Sequence, residues 1–231
     1  MYIFNEFSTK ANLDEQLADK IASGLVEAVA TKGKASIAVS GGSTPKALFQ
    51  RLSNMDLPWN KISITLADER WVDINDDASN TKLVYENLLQ NKAKEAKFFH
   101  LKQGESLCEE TLNDLNVAAK SSILPLDILI LGMGEDGHTA SLFPCSKQIE
   151  QGLSKNNTDV LMAVTPTTAP FDRISFTFNA LKQSKHVFLH ISGVNKKQVF
   201  EQAVQCNDNR KMPINAFLSN PDINTQVYWA E

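Results

Sequence analysis

The chain predicts an α/β fold in which a mainly parallel sheet is covered by helices on both faces. Three features carry this expectation. Short apolar runs of strand length recur along the 231 residues, segments with helical apolar spacing alternate with them, and several runs end in a glycine-rich turn. Apolar residues recur at helical spacing through LDEQLADKIASGLVEAVATKG, with Asn12 as the expected N-cap and Gly33 as the stop. ASIAVS follows as a buried strand ending at Ser40, and STPKALFQRLS restarts a helix whose first turn suits Pro45. KISITLADE reads as the next strand. After the loop RWVDINDDA, SNTKLVYENLLQ reads as a helix with Ser79 as a cap. LDILILGMG makes a third passage from strand to loop. DVLMAVT, RISFTF, HVFLHIS and TQVYWA are further strands, and NKKQVFEQAVQ, between the last two, is a helix. No internal repeat, low-complexity tract or long linker interrupts this pattern, so residues 1–231 are expected to form a single domain. The stretches around Asn91 to Lys97, Lys147 to Asn157 and Cys206 to Arg210 read as surface loops.

Composition narrows the function. With 42% apolar residues the chain can bury a sizeable core. Its net charge of −4 argues against a nucleic-acid module, which shows a clustered basic surplus, but leaves room for a small phosphorylated ligand held by a few local cations. Cys108, Cys145 and Cys206 are odd in number and lack CxxC spacing, so neither a disulfide framework nor a zinc site is indicated. A reducing cytoplasm fits this usage. No run approaches membrane-spanning length, and MYIFNEFSTK lacks the basic and apolar regions of an export signal, so the protein is expected to be soluble.

In an open α/β sheet ligands bind beyond the carboxyl ends of the strands, where SGGSTP, ADERW and GMGEDGH must converge. SGGSTPK, Ser40 to Lys46, has adjacent glycines that permit close backbone approach, and a helix start that turns free amides toward the loop. It suits a phosphate; the alternative is a plain tight turn capped by Thr44. It is neither a Walker loop nor a dinucleotide GxGxxG. In ADERWV, Arg70 can grip a phosphate bidentately or sit in a surface ion pair, and Trp71 reads as a packing residue. GMGEDGH carries the strongest local signal. Gly132, Gly134 and Gly137 bend the loop and leave room beside the backbone, and His138 is a side chain that can accept a proton near neutral pH. Asp136 can orient His138, bind a substrate hydroxyl or cap the following turn. His100, His186 and His190 lack such surroundings and read as structural. No HxxxH pair or cysteine partner supports a metal at His138, and SGGST lacks the GxSxG elbow of a serine hydrolase.

Taken together, SGGSTPK, DERWV followed by SNTK, GMGEDGHTASLFP, APFDRISFTFNAL and SGVNKK resemble the 6-phosphogluconolactonases, and they occur in that family's order over most of the chain. The resemblance implies a Rossmann-like domain similar in fold to the glucosamine-6-phosphate deaminases, the competing activity. Deaminases share the SGGSTP-like and GxGxDGH loops, but they usually read DEY where this chain has Asp68-Glu69-Arg70 and GHIAFNEP where it has GHTASLFP. The deaminase acid of that second motif falls on Phe143, which cannot move a proton.

The resemblance further implies hydrolysis of 6-phospho-D-glucono-1,5-lactone to 6-phospho-D-gluconate, the second step of the oxidative pentose phosphate pathway. No metal and no organic cofactor is expected. His138 is the expected general base and later proton donor, with Asp136 holding the imidazole or a sugar hydroxyl. Gly41, Gly42, Ser43, Thr44 and Arg70 are expected at the phosphate, and Gly134 in the loop beside the ligand. Lys196 occupies the GxxK position of the deaminases' phosphate-binding lysine, with Lys197 beside it as the alternative. Arg173 is a candidate for phosphate or oxyanion contact, and Asp68 for sugar hydroxyls or for pinning Arg70. The expected partner is the small-molecule lactone alone, bound by a monomer or small homo-oligomer.

Overall fold

In the computed structural model, which describes residues 2–231, the chain runs β1 (Ile3–Phe7), α1 (Lys10–Lys32), β2 (Ala35–Val39), α2 (Lys46–Asn54), β3 (Ile62–Leu66), β4 (Asp68–Arg70), α3 (Asn80–Asn87), β5 (Lys97–Phe98) and α4 (Glu109–Ser122). It continues through β6 (Ile128–Leu131), α5 (Ile149–Leu153), β7 (Leu161–Val164), β8 (Arg173–Phe176), α6 (Phe178–Leu181), β9 (His186–Ser192), α7 (Val194–Gln205), α8 (Asn215–Leu218) and β10 (Thr225–Ala230). Seven strands form a parallel sheet in the order β1-β10-β9-β6-β2-β3-β5, and β4, β8 and β7 form a small antiparallel one. Every residue of β2 and β6 is buried, as expected of central parallel strands covered on both faces. One hydrophobic cluster takes residues from both sheets, including Ile37, Leu129 and Leu189 of the large one and Leu161 and Phe176 of the small one, so the structure is one α/β domain.

The strand order locates the site before any side chain is considered. From β2 the chain moves outward to β3 and β5, whereas from β6 it moves the opposite way to β9 and β10. The reversal point therefore lies between β2 and β6, and the loops leaving them diverge and open a crevice. Those loops are SGGSTP and GMGEDGH.

Several expectations are corrected. The cap of α1 is Thr9, whose hydroxyl accepts the Asn12 N–H at 3.1 Å, so Asn12 lies inside the helix. Gly33 does end that helix, with φ of 75°. KISITLADE is two strands in two sheets. Ala67 is the crossing point: its N–H continues the β3 ladder to Val39 O at 2.8 Å, and its carbonyl accepts from Phe176 N of β8 at 3.0 Å. The N-terminal IFNEF, not read as a strand, pairs in parallel with β10 at the sheet edge. α4 was also not anticipated; only Leu115, Asn116 and Ala119 of its fourteen residues are buried, too thin a stripe to register as helical periodicity. Asn116 docks it, accepting from Val160 N and Leu161 N and donating to Leu161 O.

Candidate active site

The crevice is a cavity of about 430 Å³, within the range of small-ligand pockets. It is lined by Gly41, Gly42, Ser43 and Thr44 from the first loop, Asp68 and Arg70 from β4, Gly134 and His138 from the third loop, Arg173 from β8 and Lys196 from α7. Every residue expected at the site is there except Asp136, which reaches it by binding His138. Arg70, Arg173 and Lys196 face a single lining carboxylate, Asp68, so the cavity is cationic in a chain whose net charge is −4.

The Ser40 hydroxyl joins the two diverging loops. It donates to Ile130 O at 3.0 Å and accepts from Gly132 N at 3.3 Å, tying the end of β2 to the end of β6. Gly42 has φ of 98°, a conformation that suits glycine. The helix beyond begins at Lys46 with Pro45 at the cap position and no side-chain cap, so Thr44 is not the cap that the plain-turn reading required. The amides of this first turn, with the positive end of the helix dipole, point toward the cavity end of α2.

On the opposite wall Glu69, 1% exposed, organises the DER segment. Its carboxylate accepts from Arg70 N, Asn80 N and Thr81 N at 2.8, 2.8 and 2.7 Å, and from the Ser79 hydroxyl at 3.2 Å. An acid at a helix N-terminus satisfies amides that have no partner within the helix, so Glu69 fixes α3 against β4. Ser79 caps α3 as expected, accepting from Lys82 N. Arg70 Nη1 donates to Ala78 O at 2.6 Å and Asn80 Oδ1 at 3.0 Å, while its Nε is buried without a partner. The Asp68 carboxylate does not pin Arg70; its Oδ2 accepts the Ser141 hydroxyl at 2.5 Å. Arg173 is the register partner of Arg70 across the β4–β8 ladder and is 5% exposed. Its Nη2 donates to Pro170 O at 3.0 Å, its guanidinium lies over the Phe143 ring, and its Nε is buried without a partner. Burial, followed by the Arg70 charge, pulls its pKa down, with Asp68 and Glu69 acting the other way. Two neighbouring guanidinium groups lining one cavity can receive an anion.

The third loop presents His138. Gly134 N donates to His138 O at 2.8 Å and Gly137 N to Gly134 O at 3.2 Å, closing a tight bend. Gly137 has φ of 75° and sits on Met212, and a Cβ at Gly134 would fall 2.1 Å from His138 Nδ1. The segment after His138 is no helix: Thr139 bridges Leu142, and Ala140 takes φ of 47°, so Asp136 caps a turn and not a helix. Asp136 instead accepts from His138 N at 3.1 Å and lies 2.5 Å from Nδ1. A carboxylate in this role only accepts, so Nδ1 carries the hydrogen and the lone pair is on Nε2. Burial raises the Asp136 pKa, but the His138 hydrogen bonds and charge outweigh it and hold the carboxyl below its ordinary range. The Phe143 ring packs on the imidazole with centroids 4.1 Å apart. In this arrangement the dyad can act as a base through Nε2.

Of the two lysines, Lys196 lines the cavity and donates to Met133 O at 2.8 Å, whereas Lys197 pairs with Glu6 and lies over Trp229. Asn80 and His190 are among the lining residues that had no expected role there. Asn80 stood in the quoted SNTK motif without a role, and His190, read as structural, borders the cavity while its Nε2 lies 3.2 Å from the buried Asp14. Nothing local in HVFLHIS marks His190, since its neighbours are those of any buried strand. Among the described residues no three His, Cys, Asp or Glu side chains gather as a metal site, and no helix is long and apolar enough to cross a membrane.

Known proteins are similar to this chain over nearly its whole length. The family described as glucosamine-6-phosphate isomerases/6-phosphogluconolactonase matches residues 8–229. The 6-phosphogluconolactonase of Rhizobium meliloti is 41% identical over 224 residues, 97% of each chain. The crystal structure of a 6-phosphogluconolactonase from Shewanella baltica superimposes with a TM-score of 0.96 at 44% identity, covering 100% of this chain and 98% of that one. A monomeric glucosamine-6-phosphate deaminase shares the fold, with a TM-score of 0.81, but only 19% identity over 99% of this chain and 97% of that one. Five motifs that converge on one cationic cavity, and full-length similarity at this level, lead to one conclusion: the chain belongs to the glucosamine-6-phosphate isomerase/6-phosphogluconolactonase family.

Proposed function

We propose that the protein hydrolyses 6-phospho-D-glucono-1,5-lactone to 6-phospho-D-gluconate. One observation carries the reading: an imidazole with a fixed tautomer, Nδ1 held by Asp136, borders a cavity whose two arginines have unpaired donors. Naming of the relatives as lactonases supports it. His138 Nε2 takes a proton from water as the water oxygen bonds to C1, and the carbonyl electrons move onto oxygen. The tetrahedral oxyanion then collapses, the bond from C1 to the ring oxygen breaks, and the proton on Nε2 passes to that oxygen. Water and lactone are consumed and the acid is the only product.

The C6 phosphate sits against the Gly41–Thr44 turn, Arg70 and Lys196, with Arg173 completing the anion site, and Asp68 and Gly134 meet the sugar. This remote grip fixes C1 opposite His138. A deaminase reading is disfavoured by Phe143, which stands where that chemistry needs an acid and packs on the imidazole. We assign the activity to the cytoplasm, to a single domain spanning residues 1–231, and to a monomer or small homo-oligomer acting on a free small molecule in the oxidative pentose phosphate pathway.

The test generates the δ-lactone in place near neutral pH and follows its disappearance with wild type, His138→Ala and no enzyme. Acceleration by wild type alone is the expected result. Equal rates for wild type and the enzyme-free control would sink the lactonase reading, and ammonia release from glucosamine 6-phosphate would replace it with the deaminase one.

A further inference from the structure

We propose that Asn80 is a positioning residue that aims Arg70 at the ligand and couples it to the glycine turn across the cavity. The inference rests on the reading of Arg70 as an anion-binding group. Asn80 is 3% exposed and is the first residue of α3, where Glu69 holds its backbone N–H at 2.8 Å. Its side-chain Oδ1 accepts from Arg70 Nη1 at 3.0 Å, and its Nδ2 donates to the Asp68 carbonyl at 3.0 Å. Both ends of the amide are therefore in use, one on the guanidinium and one on the strand that carries it. Arg70 Nη1 is also held by Ala78 O, while Arg70 Nε has no partner. The guanidinium is thus gripped through one nitrogen, with further donors available to an anion.

The third contact comes from the other wall. A Cβ on Gly41 would lie 1.9 Å from Asn80 Oδ1, 2.4 Å from Cγ and 2.8 Å from Nδ2, so the turn packs directly on the amide group. Asn80 thereby fixes the spacing between the SGGST amides and Arg70, the two components expected to share one phosphate. An amide fits this place better than its isosteres. A carboxylate there, as in Asn80→Asp, would keep an acceptor but lose the donor and set a negative charge beside Arg70, and a shorter residue would release both.

The experiment measures KM and kcat on the phosphorylated lactone, and the calorimetric Kd of 6-phosphogluconate, for Arg70→Ala, Asn80→Ala and the double variant. Loss of one charged hydrogen bond is expected to raise KM and Kd about tenfold in Asn80→Ala, with kcat within roughly threefold of wild type because the dyad is untouched. In the Arg70→Ala background the same substitution should add less than about twofold, since the group it aims is gone. Gly41→Ala should raise KM in wild type, and Gly41→Ala/Asn80→Ala should return to the Asn80→Ala value, because the three atoms nearest that Cβ all belong to the Asn80 side chain. An unchanged KM in Asn80→Ala alongside a raised one in Arg70→Ala overturns the proposal, as does a full, additive factor in the double variant. Should Arg70→Ala itself leave KM and Kd unchanged, the anion-binding reading of Arg70 fails first. If Asn80→Ala does not fold, Asn80→Asp takes its place; it should raise KM at least as much, and an unchanged KM there also overturns the proposal.

Discussion

His138 and Arg173 border one cavity and are held by opposite means. The imidazole rides on a loop, 29% exposed at its side chain, kept in place by a carboxylate two residues away and by backbone bonds within the same bend. The guanidinium rides on a strand, 5% exposed, paired across a ladder with a second arginine and left with an unmet donor. A loop lets the base approach substrate and solvent, and its few bonds are local. A strand pair makes the cationic wall rigid, at the cost of keeping two like charges together. On the proposed mechanism the proton-transfer group sits on a loop, and two of the cations that hold the anion sit on a strand pair.

Breaking the first half of that contrast should have the largest effect. His138→Ala is expected to lower kcat about 10²- to 10⁴-fold while KM and the Kd of 6-phosphogluconate stay near wild type, as steady-state kinetics and calorimetry will show. On the other wall, Arg173→Met should raise KM on the order of tenfold or more. With no ligand added the same variant should melt higher, because an apolar side chain replaces a buried, poorly satisfied charge; about 1 kcal/mol corresponds to ~2–4 °C in a chain of this length. Opposite signs of the two changes would set the strand wall apart from the loop. A loss of stability together with affinity would erase the distinction.

Smaller effects sharpen the loop side. Gly137→Ala places a Cβ 2.7 Å from Met212 Sδ at a φ of 75°, so denaturant titration should show a loss of about 2 kcal/mol. Asp136→Ala should lower Tm modestly at neutral pH. The carboxyl pKa is depressed in the fold, so its contribution is present above the ordinary value of 3.8 and is lost as pH falls through the lower folded one. The Tm gap between wild type and variant should accordingly close below that range; a gap that widens toward acid would contradict the assignment. Ala140→Gly should change stability by only a few tenths of a kcal/mol, since relief at φ of 47° is offset by the greater freedom of glycine in the unfolded chain.

What was legible in the sequence follows from how local each signal is. The stripe of α1 and the buried runs of β2, β6 and β9 are periodic within themselves, and they read correctly. The change of sheet at Ala67 is not: apolar residues continue through it, and only the partners Val39 and Phe176, far away in sequence, separate the two strands. β1 escaped because an edge strand has one paired side and a mixed face. In the site, glycine spacing and residue type marked the SGGSTP, DER and GMGEDGH segments, the family resemblance added Arg173 and Lys196, and ten of the named residues line one cavity. The place of Asn80 was visible, but what it touches was not, because its bonds depend on Glu69 catching a helix eleven positions on. The cap of α1 was misread for a simpler reason: Thr9 and Asn12 are both competent cap residues three apart, and only the observed hydroxyl-to-amide bond decides between them.

The Asp136 contact reaches beyond orientation. With Nδ1 occupied, the imidazole offers a single nitrogen to the cavity, and the ring cannot rotate to offer the other without breaking the 2.5 Å contact. On the proposed mechanism, a proton gathered there departs from the same atom. The attacking water and the departing ring oxygen therefore have to lie within one hemisphere about Nε2, reached in succession as the carbon between them changes shape. Selection among lactones then falls on handedness and ring size as much as on the phosphate: a well-anchored sugar whose ring oxygen faces away from that hemisphere would be bound and left unopened.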